Sequence, residues 1–131
     1  MMPMIGQFSI LVANYDDAIA FYCGKAGFDL VEDTDMGGGK RWVLIAPPRA
    51  AENATRILLA EASDDAQRNA IGNQTGGRVG FFLMTDDFAR DHANMVGNGV
   101  HFLESPRHEP YGIVAVFEDL YGNKWDLLQP A

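Results

Sequence analysis

The sequence predicts an α+β fold: two βαβββ modules whose curved, mixed sheets surround a shared cavity. Three observations predict it. The order strand, helix, strand, strand, strand occurs twice along the chain. In each half the hydrophobic period changes after the first strand, from 2.0 to about 3.6 residues. Each strand also keeps its apolar residues on one parity, as a sheet covered by a helix on one face requires.

The first strand spans Ile5 to Val12, with Phe8, Ile10 and Val12 on one side and Gln7, Ser9 and Leu11 on the other. Asn14 is suited to cap the helix that follows, because its side-chain oxygen can accept a first-turn N–H. Ile19, Tyr22, Cys23 and Ala26 fall at helical offsets on one face of that helix, and Gly27 ends it. Extended runs follow at Phe28 to Asp33, Arg41 to Ala46 and Arg56 to Ala60. Gly37-Gly38-Gly39 forms a hairpin connection, Pro47-Pro48 breaks the next run, and Arg49 to Ala54 reads as a surface loop. Ser63 to Asn69 suits a short extra helix.

The second half opens with a strand at Val79 to Met84. A helix follows, capped by Thr85 or Asp86, with Phe88, His92 and Met95 on its apolar face and Gly97 and Gly99 at its end. Three more strands are predicted at Phe102 to Pro106, Ile113 to Phe117 and Lys124 to Leu128, the last entered through a Gly122-Asn123 turn.

With 131 residues, 47% of them hydrophobic and 21% charged, the chain suits one domain made of two repeats, about 4–61 and 77–129. A formal net charge of -8 disfavours nucleic acid and anionic membrane surfaces as partners. The first residues, MMPMIGQFSILV, lack the basic flank of a signal peptide, and the apolar run is too short to span a bilayer. A single cysteine, Cys23, requires no oxidising compartment. The expected location is cytoplasmic.

Parity selects the cavity-facing residues. If Phe8/Ile10/Val12, Val79/Phe81/Leu83 and Trp125/Leu127 lie under their helices, then the opposite parity lines the cavity. That places Gln7, Ser9 and Leu11, Gly80, Phe82 and Met84, and Lys124, Asp126 and Leu128 there.

The segment QFSILVANYDDAIAFYCGKAGFDLV resembles the opening module of the vicinal oxygen chelate superfamily, the fold of glyoxalases, bleomycin resistance proteins and extradiol dioxygenases. YGIVAVFEDLYGNKWDLLQP is similar to the strand, Asp-x-x-Gly-Asn turn and final strand that close its second module. The resemblance covers almost the whole chain. It implies metal ligands on the inward side of the first, fourth, fifth and eighth strands. Here those places fall on Gln7, on Arg56 or Leu58, on Gly80 and on Asp126. Arginine, leucine and glycine cannot ligate a divalent cation, so two oxygen ligands remain of four. The expectation is no cofactor; the alternative is one divalent metal ion held by Gln7 and Asp126. The resemblance also implies a homodimer.

Several residues carry two readings. Asp126, the one candidate for catalysis, is a general base in an apolar cavity or the partner of Arg56 in a structural ion pair, the simpler account. Arg56 and Arg78 suit a ligand carboxylate or phosphate, but surface arginines are common. Trp42, Leu58, Phe82 and Met84 offer an apolar lining or ordinary core. Tyr111, in the Pro110-Tyr111-Gly112 turn, closes over a ligand or packs on the surface. His92, His101 and His108 are not spaced as metal ligands, and Cys23 reads as a small buried hydrophobe.

The function expected first is therefore metal-free binding of a small aromatic or amphipathic molecule, in a cavity lined by Gln7, Ser9, Trp42, Arg56, Leu58, Phe82, Met84, Tyr111 and Asp126. The alternative is a metal-dependent lyase, isomerase or dioxygenase of the glyoxalase I type. A third reading is an accessory domain whose cavity is vestigial and whose sheet edges meet a partner protein.

Overall fold

The protein is described by a computed structural model covering residues 2–131. Its backbone contacts divide it into two units, one reaching to Ile71 and one running from Gly72 to Ala131. Both sheets are mixed and unclosed, and the α+β architecture matches the expected class.

The first unit contains β1 (Gln7–Val12), α1 (Tyr15–Tyr22), β2 (Asp29–Gly37), β3 (Lys40–Ala46), β4 (Arg56–Glu61) and α2 (Asp65–Ala70), with sheet order β1-β4-β3-β2. β1 and β4 run parallel in an unbroken register from Gln7↔Arg56 to Val12↔Glu61. α1 packs on β3 and β4. The face beneath it is that of Ile10, Val12, Val43, Ile45, Ile57 and Leu59, all buried. At about 1.5–3 kcal/mol for each fully buried aliphatic side chain, this face dominates the unit's stability.

Asn14 caps α1 as expected, its Oδ1 accepting from Asp17 N at 2.8 Å. The buried face of α1 differs from the expected one. Tyr15, Ala18, Phe21 and Tyr22 are buried, while Ile19 and Cys23 are half-buried and Ala26 is buried beyond the helix end. The cause is the aromatic cluster: Tyr22 meets Phe21 and Phe28 edge-on at 5.1 and 5.4 Å, which rotates the helix toward its larger rings. β2 runs four residues past Asp33, to Gly37. Gly38 and Gly39 form a two-residue hairpin loop with φ of 65° and 82°, the left-handed pair a tight hairpin needs.

The second unit contains β5 (Val79–Met84), α3 (Phe88–Gly97), β6 (His101–Phe102), β7 (Arg107–Glu109), β8 (Gly112–Glu118) and β9 (Lys124–Pro130). The sheet order is β5-β9-β8-β6, with β7 also paired to β8. α3 packs on β9. Phe81, Leu83, Phe117, Trp125 and Leu127 form the buried face of this sheet. Asp87, not Thr85 or Asp86, caps α3 by accepting from Arg90 N; the Thr85 hydroxyl instead accepts from Asp87 N and donates to Asp91.

Two strand expectations are corrected here. Of the predicted strand Phe102 to Pro106 only Phe102 lies in a strand, β6, and pairing resumes beyond it in β7, because the Glu104 carboxylate accepts from Val116 N at 3.0 Å and so occupies a ladder position that a backbone carbonyl would fill. Pro106 has no N–H to resume pairing. In β5 the register shifts between Val79↔Lys124 and Phe81↔Trp125, a bulge at Gly80 that turns Val79 to the side of Lys124 rather than under the helix.

The Asp-x-x-Gly-Asn turn holds β9 in register with β8. Asp119 is buried and accepts from Tyr121 N, Asn123 N and Asn123 Nδ2 at 2.8 to 2.9 Å, while Gly122 takes φ of 96°. Asp119→Ala leaves these donors unpaired. It should lower stability by about 3 kcal/mol, given roughly 1–3 kcal/mol for each buried donor left unmet. Guanidinium unfolding measures this; a loss below about 0.5 kcal/mol would show that the turn does not depend on the carboxylate.

Candidate functional site

The face of each sheet turned away from its helix carries the side chains left for chemistry, and the strand registers arrange them in rows. In the first unit Gln7 stands beside Arg56, and Ser9 beside Leu58, which in turn pairs with Leu44. Gln7 and Ser9 are exposed; Arg56 and Leu58 are half-buried. Arg56 donates to the Glu52 carbonyl at 3.3 Å.

The β3–β4 ladder registers only at Leu44↔Leu58 and Ile45↔Ile57. The start of β3 and the end of β4 therefore splay apart, and a cavity of about 490 Å³ opens between them, lined by Tyr15, Trp42, Leu58, Ala60, Glu61 and Gln67 among others. The Tyr15 hydroxyl accepts from Arg41 N at 3.2 Å, taking the place of a ladder partner at this opening. Trp42 and Leu58 both line this cavity. Tyr15 was not read from the sequence as a lining residue, since at the first position of a helix it looks like core.

In the second unit the rows are Phe82–Asp126–Val116 and Met84–Leu128–Val114, with Val79–Lys124–Glu118 beside them. Phe82 and Met84 are 58% and 54% exposed. That is far more than large apolar side chains of a filled core would be. A second hollow of about 300 Å³ lies along Val79, Leu103, Glu104, Val116 and Lys124.

Asp126 is half-buried, and its Oδ1 is enclosed with no hydrogen-bond donor among the described residues. Burial pushes its carboxyl above the usual carboxylate range; Arg107 pulls it down, and Glu104 pushes it further up. Arg107 is thus the cation that acts on Asp126, and it is committed elsewhere. It donates to Glu104 at 3.0 Å and Glu109 at 3.1 Å, and hydrogen bonding to Tyr111, Glu104 and Glu109 raises its pKa. Tyr111 is exposed in the two-residue turn between β7 and β8.

Sequence reading missed Glu104 and Arg107. Their signal was present as alternating charges, Glu104, Arg107 and Glu109, around the strand-breaking Pro106. The three histidines have other surroundings: His92 stacks on Phe88 at 5.2 Å, His101 bonds Glu118 at 2.7 Å, and His108 is exposed in β7. Burial raises the pKa of Cys23, which keeps it a thiol.

A resident metal ion does not fit these residues. In the first unit Gln7 is paired in register with Arg56, a cation, and Leu58 offers no donor. In the second unit the place for a fifth-strand ligand is Gly80, and a Cβ there would overlap the Thr75 side chain, so the position is filled as well as vacant of donors. Each unit brings one oxygen-bearing side chain to the positions in question. Among the described residues no three His, Cys, Asp or Glu converge.

The protein-family model described as Glyoxalase/Bleomycin resistance protein/Dioxygenase superfamily matches residues 4–127. An uncharacterized protein of Shewanella frigidimarina is 51% identical over 130 residues, covering 98% of this chain and 95% of its own. Among solved structures, TnmS3, an antibiotic binding protein from Streptomyces sp. CB03234, is 31% identical with a TM-score of 0.80, covering 99% of this chain and 98% of that one. A glyoxalase/bleomycin resistance protein from the same organism is also 31% identical, with a TM-score of 0.71 and coverage of 94% and 97%.

The raised pKa of Asp126 makes a signed prediction. A carboxyl whose folded pKa exceeds its unfolded value, about 3.9, contributes stability below that value and loses it as pH rises through the folded pKa. At neutral pH the charge therefore opposes folding. Asp126→Asn should raise stability at pH 7, and the gain should vanish near pH 3 where both side chains are neutral. Guanidinium unfolding at both pH values measures it, and an equal gain at both would exclude charge burial as the cause.

Proposed function

The chain belongs to the Glyoxalase/Bleomycin resistance protein/Dioxygenase superfamily, and within it we propose a small-molecule binding protein of the bleomycin-resistance kind that works without a resident metal. The observation that carries this reading is the pairing of exposed Phe82 and Met84 with a half-buried carboxylate on a sheet face where Gly80 offers no side chain. An apolar surface with a few placed polar groups is what binds an aromatic or amphipathic molecule; donor-poor positions do not build a Lewis-acid centre.

The first unit supports the same reading. Its cavity of about 490 Å³ falls within the range of small-molecule sites and carries Trp42 on its wall. The antibiotic-binding character of TnmS3, a relative in both sequence and structure, adds to it. Gln7, Ser9, Arg56 and Leu58 belong to the binding face of the first unit in this proposal, and Phe82, Met84, Tyr111 and Asp126 to that of the second. The protein works as a homodimer in the cytoplasm. No helix among the described residues is long and apolar enough to cross a membrane. The glyoxalase I-type alternative rests on Gln7 and Asp126, and among the described residues no group of three His, Cys, Asp or Glu converges to complete a metal site.

Thermal unfolding of the purified protein against a panel of polycyclic aromatic compounds, antibiotics included, tests the proposal. At least one compound should bind saturably, stabilising the fold by about 2.7 kcal/mol at a hundredfold excess over its Kd. Trp42→Ala or Phe82→Ala should weaken that compound roughly tenfold, a loss of about 1.4 kcal/mol. A protein that no compound stabilises, but that turns over a hemithioacetal or a catechol, would replace binding with catalysis.

A further inference from the structure

On the open face of the second unit, Asp126 carries a buried side-chain oxygen that meets no hydrogen-bond partner among the described residues. Its immediate neighbours across the sheet are Phe82 on β5 and Val116 on β8, neither of which has a side-chain donor. Oδ1 is enclosed without a donor, and the residue as a whole is only half-buried, so the carboxylate is walled on one side and reachable from the other. Arg107 does not fill the gap, because its guanidinium is held by Glu104 and Glu109. Natural folds rarely leave a buried acceptor unmet, since it costs the full desolvation of the group. Beside it, Phe82 and, in the next row, Met84 stand more than half exposed.

We infer that Asp126 selects the ligand's headgroup: the molecule bound on this face carries a hydrogen-bond donor, best a protonated nitrogen, on a flat apolar body that lies against Phe82 and Met84. The inference rests on the small-molecule reading above and names its ligand class. The surrounding charges agree with it. Glu104, Glu109 and Asp126 outnumber Arg107, and Lys124, beyond Asp126 in the adjoining row, is the group that would favour an anion instead. A charged donor facing an ionised acceptor gives the stronger class of hydrogen bond.

Three fluorescent probes of one tricyclic shape separate the possibilities: 9-aminoacridine, cationic with N–H donors; acridine, neutral without a donor; and acridine-9-carboxylate, an anion. Binding to the intact protein is measured by fluorescence titration, with Asp126→Asn and Phe82→Ala alongside and thermal unfolding confirming that each variant folds. The wild type should bind 9-aminoacridine roughly ten- to a hundredfold more tightly than the other two, the equivalent of one charge-assisted hydrogen bond. Asp126→Asn should erase that preference, and Phe82→Ala should weaken all three probes alike. A preference unchanged by Asp126→Asn, or tightest binding of the carboxylate, overturns the headgroup inference and leaves the binding reading standing. Failure of the wild type to bind any of the three at about millimolar concentration overturns both.

Discussion

A sheet has two faces, and in each unit a helix covers one of them. Successive side chains of a strand alternate between those faces, so the residues committed to the helix fix which residues remain for function. The parallel pairs β1–β4 and β5–β9 carry this constraint through both units. Once Ile10 and Val12 are under α1, the register places Gln7 against Arg56 and Ser9 against Leu58 on the other side. Once Phe81 and Leu83 are buried with Trp125 and Leu127, Phe82 falls against Asp126 and Met84 against Leu128. A slip of one residue in β9 would exchange Asp126 for Trp125 and place a carboxylate in the core.

The buried turn at Asp119 guards against that slip. By holding Tyr121 and Asn123 through its carboxylate, Asp119 sets where β9 begins. The same kind of group plays opposite parts seven residues apart. Asp119 is buried, accepts several hydrogen bonds and steadies the fold; Asp126 has an enclosed oxygen that meets no donor among the described residues, and burial pushes its carboxyl above the usual range. On the proposed reading, its missing partner arrives with the ligand.

Much of this was legible in the sequence. Period two in the strands, the Asn14 cap, the Gly38-Gly39 hairpin and the Asp-x-x-Gly-Asn turn are local signals, and local physics fixed them. Parity alone singled out Phe82, Met84 and Asp126. What escaped depended on contacts distant in the chain or on side chains standing in for backbone. The orientation of α1 follows the Tyr22 cluster with Phe21 and Phe28 rather than the spacing of Ile19 and Cys23. The break after Phe102 comes from Glu104 occupying a ladder bond of Val116, and the turned Val79 from a bulge at Gly80. Arg107, beyond that break, was invisible as a neighbour of Asp126, and Arg56, the partner expected from sequence, instead bonds the Glu52 carbonyl.

The proposed function requires that these faces bind organic molecules rather than a metal. Arg56 beside Gln7 and Thr75 filling the space at Gly80 are its physical grounds. Elemental analysis of tag-free protein expressed with Zn, Ni, Mn and Fe(II) supplied in turn is the most direct test. On the proposed function the protein should fold with metal far below one equivalent per chain in every case. Near-stoichiometric metal that disappears with Gln7→Ala or Asp126→Ala would contradict it and place a Lewis acid at the centre of the function.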